Sequence, residues 1–347
     1  MKMKKVVLLG KRKAALADAP DPKPKGDWAL VKVHAAPMCA EYKHFLAGKK
    51  MEALGHEAAG EVVAVAKPGK VKVGDRVVAM PLHGCGDCPL CNSGEYIHCE
   101  RKVDFAKIHG TADGNGTMAQ YILKPSWLLL PIPDGVSYEK ASLACCALGP
   151  SFGAFQAMEA SAFDTVLITG AGPVGLGGIV NARFRGARVI AVESVPWRVE
   201  RAREMGATVI DPNSRDPLKQ ILKLTDGNGA DCALDCAGTP AAERLCLDAV
   251  RRKGKVAFVG ECYEDLIIHV SDDLIRRGLT LIGVWHYNLN DFPKVMKVIE
   301  ESPLDSARGK PLIDLLISHV IPVSRIQEAF ELSASHQTAK IILKPWE

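Results

Sequence analysis

Thr165-Val166-Leu167-Ile168-Thr169-Gly170-Ala171-Gly172-Pro173-Val174-Gly175 is the stretch that decides the fold. Its apolar run reads as a buried strand, and the residues beyond Gly175 read as a helix to Arg185. Between them, Gly170 permits a tight turn, Gly172 lets backbone approach a pyrophosphate, and Gly175 lets helix and strand pack closely. The phosphates would lie at the helix N-terminus, beside Pro173 and Val174. Three glycines at this spacing are a weak sign alone. Their context strengthens it, because Glu193 ends the next strand, Arg188–Val192. A carboxylate there accepts bonds from ribose hydroxyls and repels a 2′-phosphate, so the reading is NAD rather than NADP. Arg198 would either flank the same ribose or tolerate a phosphate there.

Working outward, a helix is expected over Pro196–Met205, with strands at Cys232–Leu234, Val256–Val259 and Leu279–Gly283. Strands alternating with helices give a parallel, doubly wound sheet. Val259-Gly260 and Ile282-Gly283 end two of these strands, where glycine admits a nicotinamide ring. From about Asn290 a helix (Phe292–Glu301), a strand near Ser318–Ile321, a helix near Ser324–Ala334 and a last strand (Ala339–Leu343) follow. Residues 1–147 have a different texture: β-branched runs at Ala29–Ala35, Glu61–Ala66 and Arg76–Met80, separated by Gly and Pro.

Within that half lies Cys85-x2-Cys88-x2-Cys91-x7-Cys99. Four thiolates match the tetrahedral preference of zinc, and a fully protein-filled shell is the mark of a structural site. Gly84, Gly86 and Gly94 let the chain fold tightly around an ion. An iron–sulfur cluster is the minor alternative.

The bulk composition excludes other classes. The 44 basic and 40 acidic side chains leave a net charge of only +4, which does not argue for nucleic acid. No apolar run approaches ~20 residues, so no membrane helix is expected. Met1–Lys5 is basic, but Val6–Leu9 is too short for a signal peptide. Eleven cysteines without an export signal favour metal over disulfides and place the chain in the cytoplasm.

On Gly55-His56-Glu57 with Gly60, the Val73-Gly74-Asp75-Arg76-Val77 turn, the cysteine lobe and the glycine fingerprint, the chain resembles the zinc-dependent medium-chain dehydrogenase/reductase family over nearly its full length. The resemblance implies an α/β protein: a β-rich, GroES-like catalytic domain (1–147 and 290–347) with an inserted Rossmann domain (148–289). It implies a catalytic zinc on Cys39, His56 and a third Cys or Glu just before the Rossmann domain. Glu57 matches the glutamate that orients or transiently ligates that zinc. His44 matches the histidine that passes protons to solvent.

Two positions depart from the family. Glu41 stands where Ser or Thr is usual, and the third-ligand position falls on Gly149, with Cys145 and Cys146 placed outside it. Several readings stay open: Glu41 replaces the hydroxyl as general base, Glu41 or Glu57 completes the zinc shell, Glu41 is an exposed loop carboxylate, or the second metal is absent or weakly held.

The implied reaction is hydride transfer between a small-molecule alcohol and NAD. Zinc would act as Lewis acid on the substrate oxygen, and Glu41 or His44 would take the proton. Glu41, His44, His109 and Asn115 favour a polyol, sugar or cyclitol. Leu279–Val284 resembles the segment through which family members pair, so a homodimer or homotetramer is expected.

Three competing functions are weighed. Gly149-Pro150-Ser151-Phe152-Gly153 fits a serine-hydrolase elbow, which needs a strand before it, whereas Ala141–Leu148 reads as helix. A missing third ligand would fit a non-catalytic, metal-stabilised dinucleotide-binding protein. A zinc-independent reductase of the same fold lies between.

Overall fold

Alternation is the rule that builds the first half of the chain. In Trp28–Pro37, Ala29, Val31, Val33 and Ala35 are all fully buried, the two-residue period of a strand. Each valine so buried is worth about 1.5–3 kcal/mol relative to exposure. The computed structural model describes residues 2–101, 103–305 and 307–347. Met1, where the basic N-terminal run begins, lies outside the described residues.

In chain order the elements of the first half are β1 (Lys2–Gly10), β2 (Lys13–Pro20), β3 (Trp28–Pro37), α1 (Glu41–Ala47), β4 (Lys50–Met51), β5 (Ala58–Val65), β6 (Arg76–Ala79), α2 (Pro89–Asn92), α3 (Phe105–His109), β7 (Tyr121–Pro125), β8 (Leu129–Pro131) and α4 (Tyr138–Ser142). Then come α5 (Gly149–Met158), β9 (Thr165–Thr169), α6 (Pro173–Phe184), β10 (Arg188–Val192), α7 (Pro196–Glu204), β11 (Thr208–Ile210), α8 (Pro217–Leu224), β12 (Ala230–Asp235), α9 (Pro240–Ala249), β13 (Val250–Phe258) and β14 (Thr280–Gly283). The chain closes with α10 (Phe292–Glu300), α11 (Leu312–Leu315), β15 (Ile317–Pro322), α12 (Ile326–Ala334) and β16 (Lys340–Lys344).

These elements form two compact units. The first comprises the residues up to Cys146, Asn288–Met296 and the residues from Ile317 onward. Its larger sheet runs β15-β16-β3-β5-β6-β8, with β7 also on β3, and a smaller sheet runs β2-β1-β4. The last strand thus enters the sheet beside the third, antiparallel to it at Ile342–Pro37. Val31, Val33, Val62, Phe45, Phe330, Ile341 and Leu343 share one core, in which Phe45 stacks on Phe330 at 5.0 Å.

The second unit comprises Ala147–Tyr287 and Lys297–Leu316. Its six strands, β11-β10-β9-β12-β13-β14, are all parallel. This is the doubly wound order, in which the strand sequence reverses between β9 and β12 and ligands bind beyond the carboxyl ends of those strands. The expected boundaries need one correction. Residues 297–316 belong to this unit, because Leu312, Ile313 and Leu316 are buried and Arg201 on α7 donates to the Leu315 carbonyl at 3.3 Å.

The run expected as helix over Ala141–Leu148 is helical only to Ser142, and helix resumes at Gly149. Ser151 is fully buried inside α5, donates to the Leu148 carbonyl at 3.1 Å and accepts from Asn181 at 2.9 Å. A serine so placed is a packing residue, and the hydrolase reading falls. Among the described residues no helix is long and apolar enough to cross a membrane.

Candidate active site

The four cysteines of the lobe converge. Cys85 Sγ lies 3.9 Å from Cys91 Sγ, and Cys88 Sγ lies 3.8 Å from Cys99 Sγ. Four sulfurs at ~2.3 Å from a tetrahedral zinc stand roughly 3.8 Å apart, so the observed spacing fits that ion. Backbone amides already serve the sulfurs: Cys85 N donates to Cys99 Sγ at 3.3 Å and Cys91 N to Cys88 Sγ at 3.5 Å. The Cys91 amide holds the Cys88 thiol down, to about 7. A clamp fixes the lobe from outside. Asn288 donates to the Ser93 carbonyl at 2.9 Å and to Glu95 at 2.7 Å, and Leu289 N donates to the Gly94 carbonyl at 2.9 Å.

A second group forms in the same unit from Cys39 after β3, His56 and Glu57 before β5, and Cys146 in the turn that precedes α5. Their potential ligand atoms all lie within 4.8 Å of one another. His56 Nε2 is 3.3 Å from Cys146 Sγ. This corrects the sequence reading at one point, because the thiol at Cys146 stands in the position assigned to Gly149. Of the two adjacent cysteines, Cys145 turns inward and donates to the Ala79 carbonyl at 3.7 Å. Gly149 opens α5 in the other unit, where a Cβ would strike the His286 ring at 2.7 Å.

The carboxylates around this group are occupied. Glu57 Oε1 lies 2.5 Å from the Lys340 ammonium, and Glu57 Oε2 accepts from Cys146 N at 3.0 Å. Glu41 Oε1 lies 3.1 Å from His56 Nδ1, and Glu41 Oε2 accepts from Cys39 N at 2.7 Å. The reading of Glu41 as a loop carboxylate falls, since it is 6% exposed. Its reading as an added zinc ligand falls too, since it is not among the side chains that converge there and one of its oxygens holds the Cys39 amide.

Burial pushes Glu57 up to about 7 while Lys340 pulls it back. Burial works against a charged His56, yet Cys39 and Glu41 raise the ring to about 11. The bond to Cys146 holds the Cys39 thiol well below its ordinary range, against burial and with help from Lys340 and His56. A cluster of a low-lying thiol, an imidazole and a second thiol is a soft donor set suited to zinc. The structure does not bring His44 into this group; it sits half-buried on α1. His109, expected among the polar substrate residues, is buried against Trp28 at 4.6 Å and Phe105 at 4.5 Å.

In the second unit the glycine fingerprint follows β9, at the point where the strand order reverses. A Cβ at Gly175 would stand 1.8 Å from the Gly170 carbonyl oxygen, so only glycine lets α6 start there. Glu193 is buried and gathers three backbone amides: Oε2 accepts from Ala171 N at 2.8 Å, and Oε1 from Ser194 N at 2.8 Å and Val195 N at 2.9 Å. The Arg198 guanidinium lies 3.6 Å from where a Cβ on Gly172 would stand. Val259 N and Gly260 N both donate to the Asp235 carbonyl at 3.0 Å. Asp235, absent from the sequence reading, ties the two strand ends together: its carboxylate also accepts from Thr169 at 2.7 Å and Gly238 N at 3.1 Å. Only its place at the end of β12 marked it.

Fold and site define a zinc-type oxidoreductase with a dinucleotide-binding unit. Residues 25–134 match the alcohol dehydrogenase GroES-like domain, and residues 173–301 match the zinc-binding dehydrogenase domain. Sorbitol dehydrogenase of Bacillus subtilis is 31% identical across 99% of this chain and 97% of its own. L-threonine 3-dehydrogenase of Symbiobacterium thermophilum is 32% identical across 96% and 94%. An alcohol dehydrogenase from Thermus sp. ATN1 superposes with a TM-score of 0.87 at 28% identity, covering 99% of each chain. The chain belongs to the zinc-binding alcohol dehydrogenase family, and its cofactors are zinc and a dinucleotide. It is an alcohol or polyol dehydrogenase by class.

Proposed function

We propose that the chain carries two zinc ions and oxidises the secondary alcohol of a small polar substrate, polyols and sugars foremost, with NAD as hydride acceptor. The observation that carries the reading is the convergence of Cys39, His56 and Cys146. Three protein donors are one short of the four that zinc takes, and in catalytic sites the fourth belongs to water or substrate. The cysteine lobe would hold the other ion with no position left over.

A zinc held by Cys39, His56 and Cys146 would supply Lewis acidity toward a substrate oxygen. The chain's own residues do the rest. Lys340 and the Cys146 amide hold Glu57 in place at the edge of the donor group. His44, half-buried on α1, remains the candidate to hand the alcohol proton to solvent. In the second unit the Gly170–Gly175 turn and the N-terminus of α6 would cradle the pyrophosphate. The buried charge of Glu193 favours a ribose diol over a 2′-phosphate.

The named relatives support the substrate class. Sorbitol, D-arabitol phosphate and L-threonine each carry a secondary hydroxyl with a polar group on a neighbouring carbon. The 2R,3R-butanediol dehydrogenase of Bacillus subtilis, with a TM-score of 0.83 at 26% identity, fits the same description. The test is NADH formation by zinc-replete protein over a panel of polyols, sugars, cyclitols, threonine and vicinal diols. No turnover with any of them, or faster turnover with NADP, would overturn the substrate or the cofactor assignment respectively. A dimer is part of the reading: β14 is a sheet edge, and Ile267, Val270, Ile275 and Trp285 around it are 51–70% exposed. An elution volume of a monomer in gel filtration would count against it.

A further inference from the structure

Glu41 is the residue whose type least fits its position. It follows the ligand Cys39 by two residues and opens α1, where the cap residue Ala40 offers no side-chain bond. A carboxylate this deeply buried needs partners, and it has one hydrogen bond and one ion-pair contact. Oε2 accepts the Cys39 amide at 2.7 Å, and Oε1 faces His56 Nδ1 at 3.1 Å. On the far side of the same ring, Nε2 points to Cys146 Sγ at 3.3 Å.

We propose that Glu41 is a positioning residue of the Cys39–His56–Cys146 centre, setting the His56 ring so that Nε2 is its metal-binding nitrogen and bracing the Cys39 backbone, and that it is not the base for the alcohol. The chemistry follows from the geometry. A ring that ligates through Nε2 must carry its proton on Nδ1, and a buried carboxylate oxygen 3.1 Å from Nδ1, with no hydrogen-bond partner of its own, favours that tautomer and restrains the ring. A carboxylate serving as base would have to bind the substrate's proton. Here that would break its pairing with His56 and release the ring it holds. Glu57 repeats the device on the opposite side: one oxygen takes the Cys146 amide and the other takes Lys340. Each thiol ligand's own amide is thus bound by a neighbouring carboxylate, and both sulfurs are set by backbone as well as by rotamer.

The proposal rests on the reading that this centre binds zinc. It is tested on full-length protein with the variants Glu41→Ala, Glu41→Gln and Glu41→Asp, loaded with zinc or cobalt. Three quantities are read: the rate at which a colorimetric chelator strips the second metal, with the cysteine-lobe metal as internal reference; the visible absorption of the cobalt protein; and the pH profile of kcat. Glu41→Ala is expected to speed stripping by roughly 10–100-fold and to shift the cobalt bands, leaving the lobe metal in place. Glu41→Gln, with one accepting oxygen for two donors, is expected to fall between Ala and wild type, and so is Glu41→Asp. The shape of the kcat pH profile should survive in whichever variants turn over.

Stripping rate and cobalt spectrum unchanged in Glu41→Ala, with kcat collapsed and one limb of the profile lost in Glu41→Gln, would overturn the proposal and make Glu41 the base. No change in any readout would overturn it as well. Should Glu41→Ala fail to fold, the near-isosteric Glu41→Gln decides by the same measurements. A wild type that binds only the lobe metal would overturn the zinc reading itself, and the wild-type metal count tells that failure from the others. A wild type that holds two metals but turns over no alcohol leaves stripping rate and spectrum to decide.

Discussion

Glu57 and Lys340 meet as a buried ion pair, 2.5 Å apart with each side chain 1% exposed, and the lysine also donates to the Met38 carbonyl at 3.1 Å. Removing one partner leaves the other charged in the core. Lys340→Met should therefore cost about 3–5 kcal/mol in urea unfolding of the zinc-loaded protein, and adding Glu57→Gln should restore part of it. The pH dependence has a definite sign. Burial holds the Glu57 carboxyl above its unfolded value, so its cost is full above the folded pKa and gone below the unfolded one. The deficit of Lys340→Met should shrink as pH is lowered; a deficit that grows would contradict the pairing.

Metal content separates the two thiol centres. Wild-type protein should carry two zinc ions per chain by elemental analysis. Cys146→Ala should carry one, with turnover down by more than about 100-fold, because a direct ligand is worth more than the 10–100-fold of an outer contact. Cys91→Ser should also lose one ion, but its mark should be a lower thermal midpoint, since the lobe is closed and structural.

The glycine loop depends on Glu193, which accepts from Ala171, Ser194 and Val195. A hydrogen bond to a charged acceptor contributes about 1.5–3 kcal/mol, and losing such bonds loosens the turn that receives the pyrophosphate. Glu193→Ala should weaken NAD binding by roughly 10–100-fold, on the tenfold per ~1.4 kcal/mol conversion, while NADP binding should weaken less. Fluorescence titration with both dinucleotides measures the ratio.

Lys124 supplies a stability test away from either centre. It is 4% exposed, donates to the Leu82 carbonyl at 2.7 Å, and burial lowers its ammonium to about 7. Its unfolded value lies near 10.4, so between these limits the unfolded chain binds the extra proton. Stability then rises with pH across that window, by up to ~1.4 kcal/mol per unit for one proton. Lys124→Met should remove this slope. Parallel unfolding curves for the two proteins from neutral pH to about 10 would show no such Lys124 contribution.

Legibility in the sequence followed the range of the interactions. The fingerprint and the cysteine lobe are local, and Thr165–Thr169 and Arg188–Val192 form strands over the very residues read from the sequence. The dinucleotide turn could be written down because its chemistry is set within a few residues of backbone. Cys146 could not be chosen over Cys145 in the same way. The two are adjacent, both apolar in context, and only tertiary packing turns one thiol to Ala79 and the other to His56. Lys340 lies 283 residues from Glu57, and nothing in its run of isoleucines marks it as a counter-charge. Glu41 stands out in the sequence by its type, but its role depends on which way the His56 ring faces.

That distance along the chain has a consequence for biosynthesis. All three candidate ligands have been translated once Cys146 is made, yet the ammonium that balances Glu57 follows only with β16. The counter-charge of Glu57 is in place only once β16 pairs with β3, so the full set of contacts around this centre forms later in synthesis than the cysteine lobe, which is complete within fifteen residues.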